Sequence, residues 1–196
     1  MSHKQDAAKN RILQAAISCF AANGYDQTSV RQICEAAEAN LAMVSYYYGS
    51  KEQLYYAVLD QWFKDANPGF NLSAEILDPR EELERFIRTF LHLRNEDPQF
   101  NMLLRYELSS QSPRSEFIRK LMSPYLEHLN QILATGKEKN LFQYESLELI
   151  STFILSILVY PAYDSFLLQP ISGEPPAWED EIKQTIDFVI AGLQTR

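Results

Sequence analysis

Apolar residues recur along this chain at spacings of three and four, the period of helices that bury one face. No segment alternates apolar and polar positions over β-branched residues, so strands are not expected. Gly and Pro cut the pattern into helix-sized pieces. The first piece runs from about Lys4 to Asn23, with Ile12, Ala16 and Phe20 four apart and Leu13 and Ile17 beside them. Gly24 follows, where a helix end is expected. A second helix starts at Thr28, whose hydroxyl can cap the next turn, and its stripe is Val30, Ile33, Cys34 and Ala37. After the break Glu38-Ala39-Asn40, Asn40 caps a short third helix from Leu41 to about Tyr48, which Gly49 ends. Ser50 and Gln53 fit an S-x-x-Q capping box for a fourth, running to about Asn67, where Pro68-Gly69 stops it.

Longer helices follow. Asp78-Pro79-Arg80-Glu81 supplies a cap, a proline at the first helical position and an acid, starting a helix that reaches about Asn95. Asp97-Pro98 and Ser112-Pro113 start two more; Pro124 is expected to kink or split the second, whose latter half ends before Gly136. A helix from about Glu145 to Leu168, a Pro- and Gly-rich loop from Gln169 to Ala177, and a helix from about Trp178 to Leu193 complete the chain. The fold class is therefore all-α. The Leu147 to Leu168 stretch is long enough to raise a membrane span. Ser151, Thr152, Ser156, Pro161 and Asp164 interrupt it, and Glu145 and Glu148 flank it instead of Lys or Arg. A helix buried by its neighbours fits better, and no membrane partner is expected.

The 196 residues, 46% of them hydrophobic, suffice for one core or two small adjoining ones. Cys19 and Cys34 lie on apolar faces, form no C-x-x-C pair, and read as core filler in a reducing cytoplasm. The N-terminal MSHKQDAAKNR has no apolar run and does not read as a signal peptide. His3, His92 and His128 are scattered, and neither interior histidine has Glu three residues before it, so no metal site is expected. There is no G-x-S-x-G, no Walker loop and no paired nucleophile and base; neither an enzyme nor a cofactor is expected. The formal net charge is −8, which argues against nucleic acid because duplex binding rests largely on phosphate neutralisation.

The second and third helices counter that argument. Two short helices joined by a three-residue turn are the helix-turn-helix pattern. Val44 and Tyr48, four apart, can face a core, leaving Leu41, Ala42, Met43, Ser45, Tyr46 and Tyr47 substantially outward. A helix this short is unstable alone. Its small, aromatic, uncharged face suits a DNA groove: Ala42 permits close approach, Leu41 and Met43 can touch thymine methyls, and the Ser45, Tyr46 and Tyr47 hydroxyls can donate to phosphates. Thr28 and Ser29 sit at a helix start, where free amides favour a phosphate; Arg31 lies one turn in; Lys51 begins the fourth helix on the other side.

At these residues the chain resembles a known family. Thr28-Ser29-Val30-Arg31-Gln32-Ile33, Asn40-Leu41-Ala42 and Tyr46-Tyr47-Tyr48-Gly49-Ser50-Lys51-Glu52-Gln53-Leu54, with the Gly24-Tyr25 joint, resemble the DNA-binding domain of the TetR family of transcriptional regulators, over about residues 8–60. The resemblance implies an N-terminal three-helix helix-turn-helix domain, residues 1–51, and a C-terminal helical bundle, residues 52–196, for effector binding and dimerisation. It implies a homodimer on a palindromic double-stranded operator, usually a repressor, released by a small-molecule effector. The DNA contacts it implies are Thr28, Ser29, Arg31, Asn40, Leu41, Ala42, Met43, Ser45, Tyr46, Tyr47 and Lys51. Glu38 stands where the family commonly has Gly, Tyr47 replaces its usual His, and Tyr48 replaces its Phe. The Tyr48 hydroxyl thus needs a partner.

The second half offers aromatic residues at helical spacings, which fit a core or a ligand cavity. With the family resemblance, Phe86, Phe90, His92, Phe100, Tyr106, Glu107, Phe117, Tyr125 and His128 are the candidate effector contacts. Ile150, Phe153, Ile154, Ile157 and Leu158 cover more than one helix face, and Ile182, Ile186, Val189 and Leu193 form a stripe, so these nine are the candidate dimer seam. The charge is uneven. Residues 1–51 carry five bases (Lys4, Lys9, Arg11, Arg31, Lys51) against four acids (Asp6, Asp26, Glu35, Glu38), and the acidity belongs to the remainder. The objection to DNA weakens accordingly. The rival readings are a ligand-binding helical bundle that has lost DNA binding, and a helical-bundle metal enzyme.

Overall fold

The computed structural model describes residues 2–70, 72, 75–109, 112–160 and 177–194. Among them it holds nine helices and no strand: α1 (Ser2–Gln27), α2 (Val30–Ala36), α3 (Leu41–Tyr48), α4 (Lys51–Phe70), α5 (Pro79–Glu96), α6 (Pro98–Ser109), α7 (Ser115–Glu138), α8 (Leu147–Val159) and α9 (Trp178–Leu193). The all-α expectation holds. None of the described helices is long and apolar enough to cross a membrane.

The chain packs as two compact units. The first joins Met1–Ala66 with Asp97–Leu121, the second Asn67–Glu96 with Met122–Arg196. This packing division differs from the sequence boundary after residue 51, because α6 lies against α1. In the first unit the α1 stripe Ile12, Ala16 and Phe20 is fully buried with Ile33, Val44, Leu54 and Val58. The Arg11 guanidinium donates to the Ala37 carbonyl at the end of α2 (3.4 Å), so α1 also supports the turn. Tyr48 finds the partner its position demanded: its hydroxyl donates to the Lys9 carbonyl at 2.9 Å, and burial pushes the phenol up to about 12.

The second unit is built on α5, most of α7, α8 and α9. Leu83, Ile87, Leu91, Leu129, Ile132, Leu133, Leu158, Ile182 and Leu193 have no exposed surface. Gly136 touches the Phe142 ring so closely that a Cβ there would fall 2.0 Å from it. The amides of Leu141 and Phe142 both donate to the Gly136 carbonyl, closing α7 through Asn140 at φ +57°.

Several boundaries differ from the sequence expectation. α1 passes its expected end at Gly24 (φ +71°) and continues to Gln27 across a kink. α4 runs through Pro68-Gly69 to Phe70, where the Arg85 guanidinium donates to the terminal carbonyls of Gly69 and Phe70. α7 is not split by Pro124: that residue is solvent-exposed, while the following turns bury Tyr125, Leu129, Ile132 and Leu133 and hold the helix together. α8 ends at Val159, and the rest of the expected helix to Leu168, with most of the loop from Gln169 to Ala177, lies outside the described residues.

The residues of the expected dimer seam differ in their exposure. Ile154, Leu158, Ile182, Ile186, Val189 and Leu193 are buried within their own unit, because α9 turns its apolar stripe onto α5. Ile150 and Ile157 are half-buried and Phe153 is 58% exposed. Phe188, 69% exposed, and Leu149 are the outward apolar residues that the stripe concealed.

Candidate nucleic-acid interface

The surface around α2 and α3 is built from three capping arrangements. Ser29, not Thr28, caps α2: its Oγ accepts from the Gln32 amide (3.2 Å), and the Gln32 side chain accepts from the Ser29 amide (2.7 Å). Thr28 is 1% exposed, and its hydroxyl donates to the Gly24 carbonyl at 2.7 Å. Its side chain locks the α1–α2 joint and faces inward. Asn40 Oδ1 accepts from the Met43 amide (2.9 Å), capping α3. Ser50 Oγ accepts from the Gln53 amide (3.1 Å), capping α4. These caps satisfy amides that a helix start otherwise leaves free at α2, α3 and α4.

Val44 is the buried residue of α3. Around it Leu41, Ala42, Ser45 and Tyr46 are exposed, and Met43 and Tyr47 are half-buried. Tyr46 is 75% exposed and meets the Tyr47 ring edge-on at 5.1 Å. Ser29, Arg31 and Asn40 are exposed as well. Apart from Thr28, the expected contacts are exposed or half-buried, and together they carry hydroxyls, methyls, one amide, one guanidinium and one ammonium. This composition can read a groove and hold phosphates without a high charge density.

Lys51 sits in a more elaborate setting. Its Nζ lies 4.2 Å from the Tyr25 ring centroid, and the Arg114 guanidinium carbon lies 3.9 Å from the same centroid. Burial pushes the Lys51 ammonium down from its ordinary value, Asp26 pulls it back up, and Arg114 adds to the lowering. Arg114 is fixed by Glu107, whose side chain is fully buried: Nε donates to Oε1 at 3.1 Å. Glu107 also accepts from the Tyr55 hydroxyl (2.9 Å) and the Ser112 hydroxyl (2.8 Å). Burial alone would lower the Arg114 pKa, but the Glu107 carboxylate raises it above the ordinary value. Glu107 thus anchors the first unit through Tyr55, Ser112 and Arg114. Spacing gave no hint of Tyr25, Tyr55 or Arg114 as parts of this network, because they come from three separate stretches of sequence.

The other expected effector residues divide between the units. In the first, Phe100 stacks on Trp62 with centroids 3.4 Å apart, Phe117 stacks on Tyr56 at 4.2 Å, and Tyr106 lies against Gly24. In the second, Phe86, Phe90 and Tyr125 surround Phe70, with centroids 4.8–6.3 Å from it. His128 joins this cluster through Phe86. Its Nε2 lies 2.7 Å from Glu82 Oε1, while Nδ1 is buried without a partner. Burial alone would raise the Glu82 carboxyl, but hydrogen bonds and charge from Arg85 and His128 hold it below the usual carboxylate range. His92 lies apart, edge-on to Trp178. An open depression of about 640 Å³, lined by Lys137, Asn140, Phe142, Gln143, Tyr144, Glu145 and Gln194, contains none of the nine expected residues.

Comparison with known proteins bears on both units. Residues 12–58 match the model of bacterial regulatory proteins of the tetR family, and residues 79–191 match that of the tetracyclin repressor-like C-terminal domain. The HTH-type transcriptional repressor NicS of Pseudomonas putida is 27% identical over 146 residues, 72% of this chain and 69% of its own. The HTH-type transcriptional dual regulator CecR of Shigella flexneri is 30% identical over 158 residues, 71% of this chain and 70% of its own. The crystal structure of HlyIIR, a hemolysin II transcriptional regulator, superposes with a TM-score of 0.79 at 27% identity, covering 98% of this chain and 99% of that one. A capped helix-turn-helix with an outward-facing α3, followed by a matching helical C-terminal region, places this chain in the TetR family of DNA-binding transcriptional regulators.

Proposed function

We propose that the protein represses transcription as a homodimer on a palindromic operator and is released by a small-molecule effector. The observation that carries this reading is the exposed, uncharged face of α3, with Tyr46 75% open to solvent on a helix anchored by the single buried residue Val44. On this reading α3 enters the major groove. Leu41, Ala42 and Met43 meet base edges, and Ser29, Arg31, Ser45, Tyr46, Tyr47 and Lys51 hold phosphates. The Asn40 side-chain amide keeps its donors free for DNA, since only its oxygen caps α3. A two-fold axis sets the two α3 helices one DNA turn apart, about 34 Å. The subunits meet through the outward apolar residues of α8 and α9, Leu149, Ile150, Phe153, Ile157 and Phe188, which water otherwise covers.

The effector site is assigned to the Phe70, Phe86, Phe90 and Tyr125 cluster of the second unit. His128 Nδ1 there has no protein partner, and an apolar effector with one hydrogen-bonding group fits that need. Such a ligand releases DNA only by binding the DNA-incompetent state better. The test is selection of bound duplexes from a random pool by the full-length protein. A two-fold palindrome with half-site centres one turn apart is expected. Recovery of no consensus, or of an asymmetric single site, would reject the dimeric-operator reading.

A further inference from the structure

We propose that Tyr25 is a positioning residue for DNA binding: its ring holds the Lys51 ammonium at the start of α4, and the Glu107–Arg114 pair holds the ring. This rests on the reading of Lys51 as a phosphate contact.

A lysine at the first position of a surface helix ordinarily samples many rotamers, and that freedom is lost when it meets a phosphate. Here Lys51 already lies over an aromatic face, with Nζ 4.2 Å from the centroid. The ring is itself immobilised. It meets Tyr55 edge-on at 5.0 Å and stacks beside Phe20 at 5.9 Å. Arg114 covers it at 3.9 Å and cannot drift, because its Nε is bound to a carboxylate with no exposed surface. Tyr55 and Ser112 fix that carboxylate in turn. The ammonium has three donors, and the ring contact leaves others free to face a phosphate.

Arg114 makes the arrangement asymmetric in charge. Its guanidinium shares the Tyr25 ring with Lys51, and the nearby Asp26 carboxylate, 4.0 Å from Arg114, outweighs its repulsion of the Lys51 charge, so burial is what holds the ammonium below its ordinary value. The Lys51 charge is thus partly desolvated, and an arriving phosphate replaces the solvation that burial removes. Tyr25, Asp26, Lys51, Glu107 and Arg114 all belong to the first unit, although Glu107 and Arg114 come from the second half of the sequence.

The experiment measures binding of the full-length protein to a 30-base-pair duplex of arbitrary sequence, a probe length of about three helical turns, across a range of KCl. Lys51→Ala is expected to reduce the slope of log affinity against log salt by about 0.9 per subunit. Tyr25→Leu is expected to weaken binding roughly threefold to tenfold per subunit, the cost of ordering a freed lysine. Tyr25→Phe, which keeps the ring, should bind like the parent. In the Lys51→Ala background Tyr25→Leu should have no further effect. Should Tyr25→Leu fail to fold by its helical circular dichroism, the double variant Glu107→Gln/Arg114→Gln releases the ring without leaving a lone buried charge, and the same Lys51-dependent loss is expected. An unchanged affinity for Tyr25→Leu, a loss that persists undiminished without Lys51, or tighter binding overturns the proposal. An unchanged slope for Lys51→Ala rejects Lys51 as a phosphate contact and the proposal with it. A lowered slope there, with no effect of releasing the ring, rejects the proposal alone.

Discussion

Glu38 is the residue at which this turn departs most from ideal backbone. Its φ is +50°, the left-handed region, and its amide donates to the Glu35 carbonyl at 3.3 Å while Ala39 donates to Cys34 at 2.9 Å. The turn therefore needs this conformation, and a residue with a Cβ adopts it at a cost of about 1–2 kcal/mol. Glycine removes that cost but adds freedom to the unfolded chain, an opposing effect of about 0.4–1 kcal/mol. Glu38→Gly is accordingly expected to stabilise the protein by a net ~0.5–1 kcal/mol, read as a higher urea midpoint with unchanged m-value. A lower midpoint would mean that the Glu38 side chain makes a native interaction stronger than the strain it carries. The sequence already pointed to this position, because Glu38 stands where the TetR family commonly has Gly. Tyr48 is the complementary case. The need for a hydroxyl partner followed from a tyrosine at a core position, but the Lys9 carbonyl, 39 residues away, followed from nothing local.

Helix starts were more legible than some helix ends, those of α1 and α4 above all, and the reason is chemical. A start is written in one side chain and one short spacing, as at Asn40 and at Ser50 with Gln53. At α2 the same chemistry was present one residue later than read, with Ser29 and Gln32 forming the box and Thr28 buried behind it. An end depends on what satisfies the last carbonyls, and at α4 that is Arg85, a residue of another helix. The apolar stripe of α9 was equally legible as a stripe, but its period does not say whether it meets a partner or its own α5. The same limit hid the place of α6. Its contact with α1 joins residues about eighty positions apart, and with it come Leu103, Leu104 and the fully buried Glu107 side chain that accepts from Tyr55 of α4. Residues 1–66 without α6 leave the covered face of α1 in water and Tyr55 without its acceptor. A 1–66 fragment is therefore expected to show weak helical signal and no cooperative thermal transition by calorimetry. A sharp transition near that of the full chain would mean that α6 is an accessory to the helix-turn-helix unit and not part of its core.

At the scale of the whole molecule, charge and symmetry decide how DNA can be held. The first unit contains ten Lys and Arg against ten Asp and Glu, so it is formally neutral; the second contains eight against sixteen and carries the entire −8. A formally neutral reading unit has few phosphate contacts to offer, so on the proposed reading a single subunit binds weakly. Two linked subunits act differently: once one α3 is seated, the other searches at a high effective concentration, which raises affinity by about 10²–10⁴ without any new contact. The proposed seam is therefore expected to matter more here than in a basic DNA-binding protein. Phe153 and Phe188 are 58% and 69% exposed, so neither supports the core of its own unit. Changing both to Glu should leave the protomer folded, with helical signal and melting behaviour close to the parent, while placing four carboxylates into an apolar contact across a two-fold axis. Sedimentation should then report a single 22.7 kDa chain, and affinity for the selected palindrome should fall by about 10²-fold or more, while binding of a half-site stays unchanged. A double variant that still sediments as a dimer would put the seam on another surface. A monomer that kept full palindrome affinity would show that each subunit holds DNA strongly alone, which a formally neutral reading unit gives no physical reason to expect.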